Sequence, residues 1–157
     1  MASLVFATTA LMVISSGSDV LAGALGSYSG AGRPSPIFDL GALDVVATGT
    51  NGHLYQWSRN KSTFGWTAYD LTNNVGGVTI SGSPTPIVEL NQGLDVVATG
   101  TNGHLYQFGR DPRTFKWTAY DLSNNVGGTT VTGIPTPIYD LGALDVVATG
   151  TNGHLYQ

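Results

Sequence analysis

The sequence predicts an all-β chain assembled from repeated four-stranded sheets of about 50 residues each. Three observations carry that expectation. The fourteen residues LDVVATGTNGHLYQ occur at Leu43–Gln56, Leu94–Gln107 and Leu144–Gln157, at spacings of 51 and 50 residues. Short β-branched and aromatic runs alternate with turn residues, and 22 of the 157 residues are glycine, as tight turns between short strands require. No window carries the apolar spacing of an amphipathic helix.

The unit extends beyond those fourteen residues. Pro34-Ser35-Pro36-Ile37, Pro84-Thr85-Pro86-Ile87 and Pro135-Thr136-Pro137-Ile138 open three copies. Trp66–Leu71 recurs as Trp117–Leu122, and Asn73–Gly77 as Asn124–Gly128. A shift of 50 places Leu21 on Leu71, Gly26 on Gly76 and Pro34 on Pro84. Residues 1–33 therefore read as a degenerate partial unit. Full units follow at 34–83 and 84–134, and an incomplete one at 135–157.

Within a unit the elements follow in order. Ile37–Leu40 is the first strand. Leu43–Gly49, rich in β-branched residues, is the second. Asn51-Gly52 is a strong hairpin signal and predicts a type I′ turn, which requires positive φ at both central residues. His53–Trp57 alternates between two faces as a third strand. A polar loop over 58–64 leads to the fourth, Trp66–Leu71. The Gly- and Asn-rich stretch Asn73–Ser83 reads as a connector. Four antiparallel strands in this length make one β-propeller blade, whereas solenoid units carry fewer strands.

A β-propeller needs roughly four or more blades to close, and about three units are present. The expected architecture is therefore a partial propeller, or one completed by self-association of copies. Residues 16–21 fall in the register of a fourth strand. They are expected to complete the last blade, within a ring or between chains, and so to cover exposed edges.

Composition narrows the function. Net charge is −4, only 10% of residues are charged, and no basic run occurs. This argues against nucleic acid as a partner, since that binding rests on neutralising phosphates. The absence of cysteine excludes disulfides, thiolate zinc sites and thiol catalysis. Residues 4–14 are apolar enough for a signal-peptide core, but no Lys or Arg precedes Arg33. The segment is too short to span a bilayer. No membrane insertion is expected, and the protein is expected outside the cell or on its surface.

His53, His104 and His154 sit one per unit, so they do not converge as metal ligands. Asp44, Asp95 and Asp145 recur likewise, which fits a repeated structural hydrogen bond to a turn better than a pair of catalytic carboxylates. No hydrolase, phosphate-loop or EF-hand motif occurs. Neither an enzyme nor a cofactor is expected. The aromatics are the binding candidates, because sugar C–H faces stack on rings while hydroxyls seek polar neighbours. His53, Tyr55 and Trp57 share a strand face, as do His104, Tyr106 and Phe108, with His154 and Tyr156 following in the third unit. Trp66 and Trp117 join them, set against the plainer role of packing between blades.

The Ser/Thr-Pro opening, Leu-Asp-Val-Val, Gly-Thr-Asn-Gly-His-Leu-Tyr and the later Trp together resemble the bacterial propeller lectins of the Photorhabdus-like, or PLL, type. The resemblance covers about residues 34–157. It implies a propeller of seven blades that binds fucose and related glycans in pockets between adjacent blades, with glycoconjugates as partners. Phe108 departs from the pattern by replacing the Trp57 of the first copy. The expected function is thus a multivalent carbohydrate-binding propeller. A structural or protein-interaction scaffold, or the targeting domain of a larger enzyme or toxin, are the alternatives.

Overall fold

The computed structural model describes residues 32–90 and 93–157. The signal-like segment at 4–14, the strand expected at 16–21 and, apart from Gly32 and Arg33, the degenerate unit lie outside the described residues.

Three antiparallel sheets stand side by side. The first contains β1 (Ser35–Asp39), β2 (Ala42–Thr48), β3 (Leu54–Arg59) and β4 (Trp66–Asp70) in sequence order. The second contains β5 (Ile80–Val88), β6 (Leu94–Gly100), β7 (Leu105–Arg110) and β8 (Trp117–Asp121). The third holds β9 (Val131–Asp140), β10 (Ala143–Gly150) and the short β11 (Leu155–Tyr156). β5 adjoins both β1 and β9, and β2 and β6 each touch the first strand of the next sheet. The first strand of each blade is therefore innermost. Successive four-stranded sheets arranged in this way form a partial β-propeller.

Two turns differ from the expectation. Positive φ at both central residues occurs at Leu40-Gly41 (46° and 77°) and Leu141-Gly142 (46° and 88°), where β1 meets β2 and β9 meets β10. The two-residue hairpins lie there. At Asn51-Gly52 only Gly52 has positive φ, at 77°. Its N–H bonds Gly49 O at 2.9 Å, while Gly49 N–H bonds His53 O at 2.8 Å. Gly52 thus closes a longer turn over Gly49–Gly52, and Asn51 is released to use its side chain.

The connector is also more ordered than expected. Leu71–Asn74 (α1) and Leu122–Asn125 (α2) are single helical turns capped by Asp70 and Asp121, whose carboxylates accept from the N–H groups of Asn73 and Asn124. Four residues carry no readable period, so the sequence pattern missed them. The end of the connector is strand: β5 starts at Ile80 and crosses a bulge between Ser81 and Thr85 before the Pro-rich opening.

The core fills the joints between blades. Val46, Leu54, Leu71 and Ile80 meet Val96, Ala98 and Phe108 in the first joint, all at most 1% exposed. Trp117 and Tyr106 pack against this cluster. Burying each large side chain contributes roughly 1.5–3 kcal/mol. The second joint repeats the plan with Leu105, Val131 and Ala148, flanked by Leu122 and Val146.

Candidate functional site

The repeated polar residues mostly bind one another. Asn51 Oδ1 accepts from His53 N–H at 3.1 Å, and Asn51 Nδ2 donates to the Tyr55 hydroxyl at 3.0 Å. His53 Nδ1 lies 2.8 Å from Asp70 Oδ2. Asp70 in turn accepts from Asn73, from the backbone at 3.0 Å and the side chain at 2.7 Å. The second blade repeats the set with Asn102, His104, Tyr106, Asp121 and Asn124. This web ties the second hairpin to the helical cap of the same blade. In the third unit Asn152 holds Tyr156 and the His154 backbone, but the described residues place no carboxylate at the His154 ring.

The chemistry of the web is structural. Burial raises the Asp121 carboxyl. The His104 imidazole, the Asn124 N–H and the Tyr106 hydroxyl outweigh that and hold it below 3.8. Favoured as a carboxylate, it acts as an acceptor and not as an acid.

The aromatic candidates divide. The rings of His53 and Tyr55 stack with centroids 6.2 Å apart, and Tyr55 meets Trp57 at 5.7 Å. His104 and Tyr106 stack likewise at 6.4 Å. The face carrying Tyr106 and Phe108 turns into the joint with the first blade. Phe108 is 0% exposed and Trp57 3%, so these two rings offer no open surface. Trp66 and Trp117 are half-buried, and Trp117 packs on the core. His154 is exposed and Tyr156 half-buried. The expected shallow site on the third strand is thus mainly a packing face.

The repeated Asp likewise differs from expectation, since its partners are side chains and not a turn. Asp44 is 1% exposed and accepts from Gln56 Nε2 at 2.9 Å. Arg110 of the second blade reaches back to Asp39 Oδ2 and lies 3.8 Å from Asp44 Oδ2. A buried guanidinium therefore latches the two blades together.

Two further features escaped the sequence reading. Phe64 and Phe115 are exposed aromatics at φ 58°, with Arg59 and Arg110 at 4.8 and 5.6 Å from their ring centroids. The second feature is a cleft of about 310 Å³ between the second and third blades. Ser81 and Ser83 of β5, Thr99 of β6, Thr101 of the hairpin and Thr132 and Ile134 of β9 line it. Between the first two blades the matching segments touch: Arg33 N–H donates to Ser83 Oγ at 2.7 Å, and a Cβ on Gly32 would fall 2.2 Å from Gly82 O. Between the next two they part, and the cleft opens. The alternation in Thr79-Ile80-Ser81 and Thr130-Val131-Thr132 was its signal in the sequence, obscured by the neighbouring glycines.

No protein-family model matches the sequence, and neither does any curated protein. Solved structures do resemble the fold. A fucose lectin from Kordia zhangzhouensis, in complex with methyl-fucoside, aligns with a TM-score of 0.52 and 17% identity over 78% of this chain and 87% of that one. A triple arginine-to-alanine mutant of AofleA from Arthrobotrys oligospora aligns with a TM-score of 0.55 and 16% identity over 82% of this chain. The match spans 37% of that longer chain. At such identities the likeness is one of fold.

Proposed function

We propose that the chain is a non-enzymatic carbohydrate-binding propeller that takes a monosaccharide, fucose first among them, in the cleft between the second and third blades. The observation that carries this reading is the cleft lining. Five hydroxyl side chains and one exposed isoleucine combine polar groups with an apolar patch, the pairing a sugar presents in return. Ser81, Ser83, Thr99 and Thr101 each also bond within the protein, to Gly100 O, Arg33 N–H, Gly133 O and Thr79, and keep oxygen lone pairs for a ligand. Its volume falls at the lower end of small-molecule sites, about 300–1,000 Å³. The fold similarity to a lectin bound to methyl-fucoside supports it, as does the repeat motif's resemblance to PLL-type lectins. Such a module acts outside the cell or at a cell surface. There, similar joints in an assembled ring strengthen weak single contacts through avidity.

The test is a titration of the folded chain with methyl-fucoside, followed by heteronuclear NMR. Saturable shifts at Ser81–Ser83 and Thr132–Ile134, lost at least tenfold in Thr132→Val and Ile134→Glu and unchanged in His154→Ala, support the site. Binding that ignores both cleft substitutions moves the site elsewhere. Silence toward methyl-fucoside and across a glycan array favours the second reading, a structural or protein-interaction scaffold. That reading has its own observation: His53, Asp70, Asn51 and Tyr55 already satisfy one another.

A further inference from the structure

Four residues other than glycine have positive φ among the described residues: Leu40 and Leu141 at 46°, Phe64 and Phe115 at 58°. A left-handed backbone at a bulky side chain is strained. Asn, Asp or Gly is the usual choice in a turn such as Leu40-Gly41. Each of these positions carries a large apolar residue instead. Three of them lie in the first two blades and face solvent: Phe64 is 63% exposed, Phe115 59% and Leu40 37%. Phe115 keeps that exposure with a blade on either side of it.

The strand registers gather these tips. Asp39 pairs with Ala42, Asp44 with Ser58, and Arg59 with Trp66. The β1–β2 turn and the β3–β4 loop therefore share one end of the first blade. Arg110, paired with Leu94 and with Trp117, puts the β7–β8 loop at the same end of the second. Arg110 also ties the two blades together there. It lies 5.6 Å from the Phe115 ring centroid and reaches Asp39, next to Leu40. The cleft lined by Ser81, Thr99 and Thr132 is at the other end of the strands.

Positive charge collects where the rings do. Arg59, Lys61, Arg110, Arg113 and Lys116 are five of the six Lys and Arg residues of a chain whose net charge is −4. All five lie in residues 59–66 or 110–117, segments that hold one carboxylate, Asp111. That carboxylate already accepts from the N–H groups of Arg113 and Thr114, at 2.9 and 2.7 Å. A Cβ on Gly41 would fall 3.8 Å from Lys61 Nζ, so this ammonium stands beside the Leu40 turn. Glu89 and Asp140 flank the inner turns of the next two blades, which confines the cationic surface to the outer loops.

We propose that the β3–β4 and β7–β8 loops, with the Leu40 turn, seat the chain on the surface of an anionic phospholipid bilayer. Phe64, Phe115 and Leu40 enter the boundary between headgroups and acyl chains, while Lys61, Arg113 and Lys116 meet lipid phosphates and carboxylates. The repeated strain then has a use, since it holds each apolar side chain out from the protein. Leu40 offers no ring for a sugar to stack on, which favours lipid over an acidic glycan as the occupant. No helix among the described residues is long and apolar enough to cross a membrane, and this seating needs none.

The test is co-sedimentation of the full chain with vesicles of phosphatidylcholine and phosphatidylserine. The expected result is binding that added salt reduces and that is weaker on phosphatidylcholine alone. Phe64→Asn combined with Phe115→Asn suits the left-handed backbone and removes both rings, and it should weaken binding about tenfold or more. Lys61→Gln, Arg113→Gln and Lys116→Gln together should do the same, with circular dichroism unchanged in both variants. Absent binding, or binding indifferent to both sets of substitutions, overturns the proposal. Binding to dextran sulfate but not to vesicles overturns it too, and assigns the loops to an acidic glycan.

Discussion

A Cβ placed on Gly100 would stand 2.6 Å from Cε2 of Tyr106 and 2.6 Å from Oδ1 of Asn102. The hairpin therefore closes only because position 100 has no side chain, and Tyr106 lies flat across it with its hydroxyl bound to Asn102 at 2.9 Å. Gly49 and Gly150 show the same crowding against Tyr55 and Tyr156. Gly100→Ala must displace a ring held on several sides. The expected loss is roughly 1–3 kcal/mol, the usual cost of overpacking, read from chemical denaturation. Ala at Gly127, where the Cβ would meet nothing within 4 Å but φ is 83°, separates backbone strain from crowding.

Phe108 and Phe115 have the same side chain and opposite surroundings. Phe108 is 0% exposed in the first joint, while Phe115 is 59% exposed beside Arg110. Phe108→Ala is expected to cost about 3–5 kcal/mol through the cavity it leaves. Phe115→Ala is expected to change stability by less than about 1 kcal/mol. Equal losses in the two variants would show that Phe108 does not anchor the joint.

The sequence revealed what repeats and concealed what lies between repeats. Strands β2 and β3 were legible because Leu43–Gly49 and His53–Trp57 carry β-branched and alternating patterns. The helical caps were not, since four residues at Leu71–Asn74 hold no period. The polar repeat residues read two ways for a related reason. His, Tyr and Asn in a fixed local spacing resemble a ligand-binding face, yet that spacing is also what lets Asn51 reach Tyr55 and His53 reach Asp70. Only three-dimensional placement distinguishes polar groups that satisfy one another from polar groups left over. The cleft and the Arg110 latch join residues some 50–70 positions apart, through the packing of one blade on the next. No local pattern encodes that.

His104 and Asp121 link the second hairpin to its helical cap at 2.8 Å. The Asp121 carboxyl is held below its usual 3.8 against the opposing effect of burial. A carboxylate lowered on folding contributes stability that is present above pH 3.8 and disappears as pH falls through the folded value. The wild-type chain should therefore lose stability on acidification through that range. His104→Gln removes part of the stabilising set and flattens this acid limb. Denaturation midpoints measured between pH 2.5 and 7 for both chains check it. Parallel acid limbs would remove His104 from the account.

Arg110 shares its charge between two carboxylates that are each at most 2% exposed, Asp39 and Asp44. Removing the cation leaves buried negative charge, a defect that costs about 3–5 kcal/mol. Arg110→Gln is therefore expected to be far more damaging near pH 7 than Arg113→Gln, whose site is exposed. The loss depends on pH with a definite sign. Burial already raises the Asp44 carboxyl above 3.8, and Arg110 opposes that rise. Without Arg110 the folded chain holds this proton more tightly than the unfolded chain, so stability falls as pH rises above 3.8. The variant should recover part of its deficit on moving from pH 7 toward pH 4.5, and Arg110→Gln combined with Asp44→Asn should recover it at both. A deficit that stays constant with pH, and that Asp44→Asn leaves untouched, would mean that Arg110 stabilises the joint through its aliphatic stem and not through its charge.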